Sequence, residues 1–373
     1  MEWRFRLEEA VRDARRRTGV PGVAAGLSVD GETALAADGV LVLGDAEPVR
    51  PETPFRVASV SKPFTATLVH RCLELDDELR ALLSHTAGLR CETAEPLPER
   101  CLGLWSYSNA GYWEAGARAA AACGASFGDA MAAQVLEPLG LDATGYEEPA
   151  RPARGHVQEG ESGHRAVPDD AYPVARRASG GLWSTVVDLL RFGEHQLVAG
   201  SELHEPQVEA LGARYALGWW VRDLGGRMGL DHEGSVGGYQ SLLLLVPESR
   251  LVLAVLTNSW RGSGLIRRVV EALGLAPAAP AAAASASPSH PVTGTYALDG
   301  VEATVTRDAG GLRVVETETD PVTGARIERR YPASALGGGV FGFARGVLQS
   351  HRLDFPRPGV ARIGWLALPR VSE

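Results

Sequence analysis

Hydrophobic and polar positions change their spacing several times along the chain, and each change marks an element. The opening stretch, MEWRFRLEEAVRDARRRTGV, puts Phe5, Leu7 and Val11 on one side of a helix with charges elsewhere. Residues 22–45 alternate short apolar runs with Asp-Gly turns, which predicts antiparallel hairpins. From Ser61 the pattern becomes helical, and 60–215 reads mostly as helices and loops. Strand runs return at 215–223, 241–247 and 250–258, followed by a helix at 262–274. Residues 275–291, LAPAAPAAAASASPSHP, carry no charge and have the composition of a linker. Beyond them TGTYAL, VEATVTRD, GLRVVETET, ARIERRYPA and VARIGWLAL predict short strands between turns, a small all-β unit. The chain thus divides into 1–274, a linker over 275–291, and 292–373.

Composition narrows the function. A net charge of −9 argues against nucleic acid or an anionic membrane surface as a partner. The longest apolar run, SLLLLVPESRLVLAVL, is interrupted by Pro247, Glu248 and Arg250, so no membrane span is expected. The first residues lack an apolar signal core and a small-residue cleavage site, which points to a cytoplasmic protein. Cysteines 72, 91, 101 and 123 form no CxxC pair and have no nearby histidine set. They read as free thiols in a reducing compartment, with a Cys91–Cys101 bridge as the alternative. No HExxH spacing and no glycine-rich phosphate loop occurs, so no metal or cofactor is expected.

One residue type is nearly missing. Of 37 basic residues, 36 are arginine and one is Lys62. Ser59 lies three positions earlier, giving S-x-x-K. On a helix the two side chains share a face. A serine hydroxyl becomes a strong nucleophile only when a base takes its proton. Buried lysine can be that base, because burial lowers its pKa; arginine cannot shed its proton near neutrality. Taken alone the pairing is weak, since a serine stands three before a given lysine by chance roughly one time in fifteen.

Two more elements join it. LWSYSNAGYWEAG contains Tyr107 and Asn109 as Y-x-N, and Asn109 is one of only two asparagines in the chain. A phenol close to a lysine ammonium can ionise in part and carry protons. The amide can hold a substrate carbonyl and the lysine together. Then His232-Glu233-Gly234 opens onto the apolar strand at 241–247. Gly234 would let a substrate backbone approach the strand edge. The backbone N–H groups of Ser59 and Ser235 could form an oxyanion hole.

In the order SxxK, YxN, HxG, these elements resemble the serine β-lactamase and penicillin-binding-protein superfamily, in its class C-like branch of esterases, D-peptidases and β-lactamases. PETPFRVASVSKPFTA, LRALLSHTAGL, LEPLGLDATGY, ASGGLWSTVVDLLRFG and LLLLVPESRLVLAVLTNS add to it, and the likeness spans about residues 15–274. It implies an α/β (α+β) fold: an antiparallel sheet flanked by helices, an all-α region carrying the Y-x-N loop, and Ser59 at a helix N-terminus between them. The last 80 or so residues resemble the lipocalin-like barrel of some members. The resemblance makes Ser59 the acylated nucleophile, Lys62 and Tyr107 the acid–base pair, and Asn109 a carbonyl ligand. His232, Gly234 and Ser235 would line the substrate strand.

Two departures stand out. Only 48 residues separate Ser59 from Tyr107, fewer than the family usually has, as if the middle of the helical region were gone. His232 stands where β-lactamases and wall peptidases carry lysine. A mostly neutral histidine should weaken any preference for a carboxylate-bearing substrate. The expectation is therefore a serine hydrolase acting on a small-molecule or peptide ester or amide. A penicillin-binding-protein-type thioesterase or acyltransferase, such as a peptide cyclase, is the alternative within the same chemistry. A β-lactamase or D-Ala-D-Ala carboxypeptidase, and a non-catalytic binding protein on this scaffold, remain further alternatives.

Overall fold

The computed structural model describes residues 2–159, 163–168, 172–199, 202–277, 290–308, 311–319, 326–337, 339–343 and 352–372. Helix α1 (Glu2–Thr18) leads into the hairpin β1 (Gly22–Val29) and β2 (Glu32–Gly39). Its turn, Asp30-Gly31, has positive φ at both positions (50° and 83°), the twist that a two-residue hairpin needs. The short strand β3 (Phe55–Arg56) precedes α2 (Ser61–Cys72), α3 (Asp77–Leu83), α4 (Asn109–Ala122) and α5 (Phe127–Met131). A ribbon, β4 (His156–Glu159) and β5 (Gly163–Ala166), and β6 (Trp183–Ser184), which pairs with β3, come next. Helix α6 (Val186–Ala199) is followed by β7 (Val208–Ala210), β8 (Ala213–Tyr215), β9 (Trp220–Asp223), β10 (Met228–Val236), β11 (Tyr239–Val246) and β12 (Leu251–Thr257), then α7 (Gly262–Ala272).

These strands build one antiparallel sheet in the order β2-β1-β12-β11-β10-β9-β8-β7, joining both ends of the region. Residues 242–246 of β11 and 251–256 of β12 are apolar without a break because both faces of the sheet are covered. Side chains alternate across a strand. Leu242, Leu244, Leu253 and Val255 therefore pack with Leu7 and Val11 of α1 and with Leu265, Ile266 and Val269 of α7. Leu243, Leu245, Val252 and Ala254 pack on the other face with Leu189, Leu190 and Phe192 of α6 and with Phe64 of α2. In α1 the sequence pattern holds for Leu7 and Val11, which are buried, but Phe5 is 69% exposed. It lies off the stripe that meets the sheet.

The C-terminal part is a closed up-and-down barrel of β13 (Gly294–Leu298), β14 (Val301–Asp308), β15 (Gly311–Thr319), β16 (Arg326–Gly337), β17 (Val340–Phe343), β18 (Arg352–Arg357), β19 (Val360–Ile363) and β20 (Leu366–Ser372). Tyr296, Val305, Val314, Leu353 and Leu368 are in its core. Of the linker reading, residues 278–289 lie outside the described residues. The barrel docks on the rest of the chain through side-chain and backbone groups. Arg352 donates to the Leu211 carbonyl at 2.8 Å, Arg362 donates to that of Glu209 at 3.3 Å, and the Ala367 N–H donates to Ser106 Oγ at 3.1 Å. The four cysteines are free, so the bridged alternative for Cys91 and Cys101 is not formed. Among the described residues no helix is long and apolar enough to cross a membrane.

Candidate active site

Ser59 lies in a tight turn, Ala58–Val60, immediately before α2. Ala58 has φ of +48°, a conformation that side-chain-bearing residues seldom adopt and that costs of order 1–3 kcal/mol. The turn is held from the sheet side: Ser241 Oγ on β11 donates to the Val57 carbonyl at 2.7 Å. It is also crowded against β10. A Cβ on Gly234 would come within 2.2 Å of the Val57 carbonyl oxygen and 2.3 Å of Ser241 Oγ, so only glycine fits there. Strand β9 pairs with β10 only as far as Asp231, opposite Trp220. Beyond that point, β10 lies along the turn that carries Ser59.

One turn into α2, Lys62 is fully buried. Its amine donates to Asn109 Oδ1 at 2.7 Å and to the Ser179 carbonyl at 2.9 Å. Both of those atoms can only accept. The third direction faces Ser59 Oγ at 3.4 Å. The rings of Tyr107 and Tyr112 flank the amine at 4.6 and 5.3 Å. Burial pulls the Lys62 pKa down to about 7, with Cys91 and Glu92 acting against it. A neutral amine held this way spends two N–H groups on obligate acceptors and aims its lone pair at the serine.

Tyr107 is buried, with its phenol beside Ser59. Burial holds the phenol well above its ordinary range, against the weaker pull of Ser59. That direction runs against the partial ionisation expected beside a lysine. Desolvation is the largest influence on the phenol. Asn109 opens α4, with Ser108 as its N-cap. The Asn109 Nδ2 donates to Glu92 Oε1 at 2.5 Å.

His232 is buried, with 1% exposure, and its hydrogen bonds fix its tautomer. Nδ1 sits 2.7 Å from the Glu233 carbonyl, so it carries the proton, and Nε2 accepts from the Tyr215 hydroxyl at 3.3 Å. Tyr215 in turn accepts from His85 Nε2 at 3.1 Å, because His85 Nδ1 takes the Ser108 N–H at 3.0 Å. This wire runs from the turn after α3 to β10 with every donor matched. Burial, aided by Lys62, pushes the His232 pKa down to about 3, so the ring is neutral at pH 7. Ser235, three residues on, is exposed; it pairs with Gln240, whose Nε2 donates to Ser235 Oγ at 2.7 Å.

The fold thus brings Ser59, Lys62, Tyr107 and Asn109 together and sets Gly234 against the serine turn. His232 is beside Tyr107, with ring centroids 6.5 Å apart, but its polar atoms serve the wire. Sequence reasoning missed Glu92, Ser179, His85, Tyr215 and Trp365. His85 had a signal, since it sits in the SHTAGL stretch. Ser179 acts through its carbonyl, and Glu92 and Trp365 arrive from loops, so their types carried no mark.

An antiparallel sheet covered by helices, with SxxK at a helix start and YxN across from it, is a β-lactamase and penicillin-binding-protein-like serine hydrolase fold. The Beta-lactamase family matches residues 7–78 and 78–276, and the chain belongs to it. The two matched pieces meet between α2 and the His85 turn, where the sequence runs short. Penicillin-binding protein 4 of Amycolatopsis lactamdurans is 27% identical over 309 residues, 64% of this chain and 81% of that one. The crystal structure of a protein called SurE matches 99% of both chains, at 27% identity and a TM-score of 0.73; another, with D-Leu, does so at 26% and 0.71. A class C β-lactamase from Rhodobacter sphaeroides shares the fold over 72% of this chain and 98% of its own, at 19% identity and a TM-score of 0.62.

Proposed function

We propose that the protein cleaves an ester or amide through an acyl intermediate on Ser59. The observation that carries this reading is the Lys62 amine, buried, held by two obligate acceptors and facing Ser59 Oγ at 3.4 Å. Ser59 Oγ attacks the substrate carbonyl carbon and its proton passes to Lys62 Nζ. The backbone N–H groups of Ser59 and Ser235 receive the oxyanion. The tetrahedral adduct collapses, the acyl group stays on Ser59, and the leaving oxygen or nitrogen takes a proton from Tyr107, which is refilled from Lys62. Water then attacks the ester carbonyl by the reverse proton path and frees Ser59. In this role Asn109 holds Lys62 and the acyl carbonyl, and Gly234 gives the substrate backbone access to β10. Incubation with a fluorophosphonate followed by mass spectrometry tests it: one adduct on Ser59 is expected, and an unlabelled Ser59 in folded protein would end the reading.

A second reading, acyl transfer to an amine as in a peptide cyclase, draws on the SurE structure with D-Leu, which matches 99% of this chain. A D-amino acid presents the amine that could displace the acyl group in place of water. Product analysis with and without added D-leucine separates the two: an N-acyl product supports transfer, and free acid alone supports hydrolysis.

A further inference from the structure

We propose that Glu92 is a positioning residue that orients the Asn109 amide and through it the Lys62 amine. This rests on the Ser59–Lys62 reading above. An amide can present either its oxygen or its nitrogen to a neighbour, and Lys62 needs the oxygen. A carboxylate can only accept. Glu92 Oε1 therefore takes Asn109 Nδ2, at 2.5 Å, and leaves Oδ1 to accept from Lys62 at 2.7 Å. Glu92 is itself tethered, since its Oε2 lies 3.5 Å from Arg176 NH1. The resulting chain runs Arg176, Glu92, Asn109, Lys62, Ser59. It begins in the segment that also supplies the Ser179 carbonyl to Lys62.

The placement follows from the loop between α3 and α4. Residues 89–96 fold over the start of α4, with Leu89 bridged to Pro96. The Cys91 carbonyl takes the N–H groups of both Asn109 and Ala110, at 2.8 and 3.0 Å. That pairing presents the next side chain, Glu92, to the Asn109 amide. The charge of Glu92 also favours the protonated form of Lys62. Other titratable groups facing Lys62 are His85, His232, Cys91, Tyr107 and Tyr112, from four other parts of the fold. The two histidines are held neutral by burial, and burial also holds the thiol and both phenols protonated. Glu92 is thus the carboxylate whose removal should move Lys62.

The test uses the single lysine. With lysine labelled at its ε-carbon, NMR gives one side-chain resonance, and the Lys62 titration is read without any activity. Glu92→Gln keeps an acceptor for Asn109 Nδ2 but removes the charge; Glu92→Ala removes both. The Glu92 side chain is 40% exposed, so both variants should fold, which melting checks. Expected is a midpoint lower by about half a unit or more in both variants. At pH values above the midpoint, kcat for a p-nitrophenyl ester should stay within about threefold in Glu92→Gln and fall about tenfold or more in Glu92→Ala, with KM little changed. Midpoints that coincide with wild type, or equal plateau kcat in the two variants, would overturn the proposal. If wild-type Ser59 takes no fluorophosphonate while the midpoint still shifts, the hydrolase reading fails and the Glu92–Lys62 link stands.

Discussion

The backbone N–H of Tyr107 donates to the carbonyl of Trp365 at 2.8 Å, so the barrel holds the Y-x-N segment by its main chain. The Trp365 ring lies against the Tyr107 ring, with centroids 5.8 Å apart. A buried N–H stripped of its acceptor costs about 1–3 kcal/mol. The composition of 275–291 reads as a linker between separate units, yet the two parts share this interface. A chain carrying a specific protease site within 278–289 should therefore be cut without coming apart. After cleavage both fragments are expected to co-elute in gel filtration with ester hydrolysis retained. Separate elution with full activity in the 1–277 fragment would show that Tyr107 does not depend on the barrel.

Lys62→Arg should be as inactive as Lys62→Ala. A purely electrostatic role would survive in arginine, whereas a proton acceptor would not, because guanidinium stays charged near neutrality. Loss of general-base catalysis costs about 10²–10⁴ in rate. In the wild type, kcat/KM should rise with pH through about 7, as the buried amine loses its proton and becomes a base. Arg56→Lys is no neutral control, since Arg56 is buried, donates to the Gly181 carbonyl and lies over Trp183 at 4.5 Å. Arg313→Lys, on the exposed outside of the barrel, is the better one. Lys62→Arg keeping more than about a tenth of the wild-type rate would remove Lys62 from the proton path.

Burial of Lys62 also makes stability depend on pH. Its folded pKa, about 7, lies below the ordinary value of 10.5, so between these the unfolded chain binds more protons. Stability from this group is therefore fully present above about 10.5 and is lost as pH falls through that window to about 7. A shift of this size corresponds to no more than about 5 kcal/mol. Lys62→Met keeps the bulk without the charge and should be more stable than wild type, most at pH 6.5 and least at pH 10. Denaturant melts of both proteins across this range measure the difference. A constant gap would mean that Lys62 does not titrate with folding.

Much of the fold was legible because its signals are local. The apolar runs that became β11 and β12 and the Asp30-Gly31 turn needed no distant partner to be read. Where a turn hid inside an apolar run, the reading blurred. Residues 215–223 hold the end of β8, a turn with Gly218 at φ of +88°, and β9, and VARIGWLAL splits into β19 and β20 at Gly364. Strands β17 and β18 went unread: VFGF spans four residues, and RLDFPR contains a proline. At the site, Ser59, Lys62, Tyr107 and Asn109 were legible because their residue types carry chemistry. Glu92 was not, since one glutamate among 46 acidic residues gains meaning only when the 89–96 loop lays it on Asn109. The neutrality of His232 was expected, but its burial and tautomer were hidden, because they depend on Tyr215 across the sheet.

That state decides the last prediction. By the resemblance, His232 stands where β-lactamases and wall peptidases carry a lysine. Here the ring is neutral at pH 7, 1% exposed, and its Nε2 is taken by Tyr215. It can neither pair with a carboxylate nor turn towards one without breaking the wire to His85. The Asp231 carboxylate next to it is paired with Arg222 at 2.6 Å inside the sheet, so that arginine is not available in its place. Short-chain p-nitrophenyl esters, which carry no carboxylate, should therefore turn over with a higher kcat/KM than benzylpenicillin, which finds no charge-assisted hydrogen bond here, worth about 1.5–3 kcal/mol. The pH profile for the ester should show no step from His232 between 5 and 8, leaving the rise near 7 to Lys62. Steady-state kinetics on both substrates from pH 5 to 9 check this. A higher kcat/KM for benzylpenicillin would mean that another cation reads the carboxylate, and that the buried histidine does not set substrate choice.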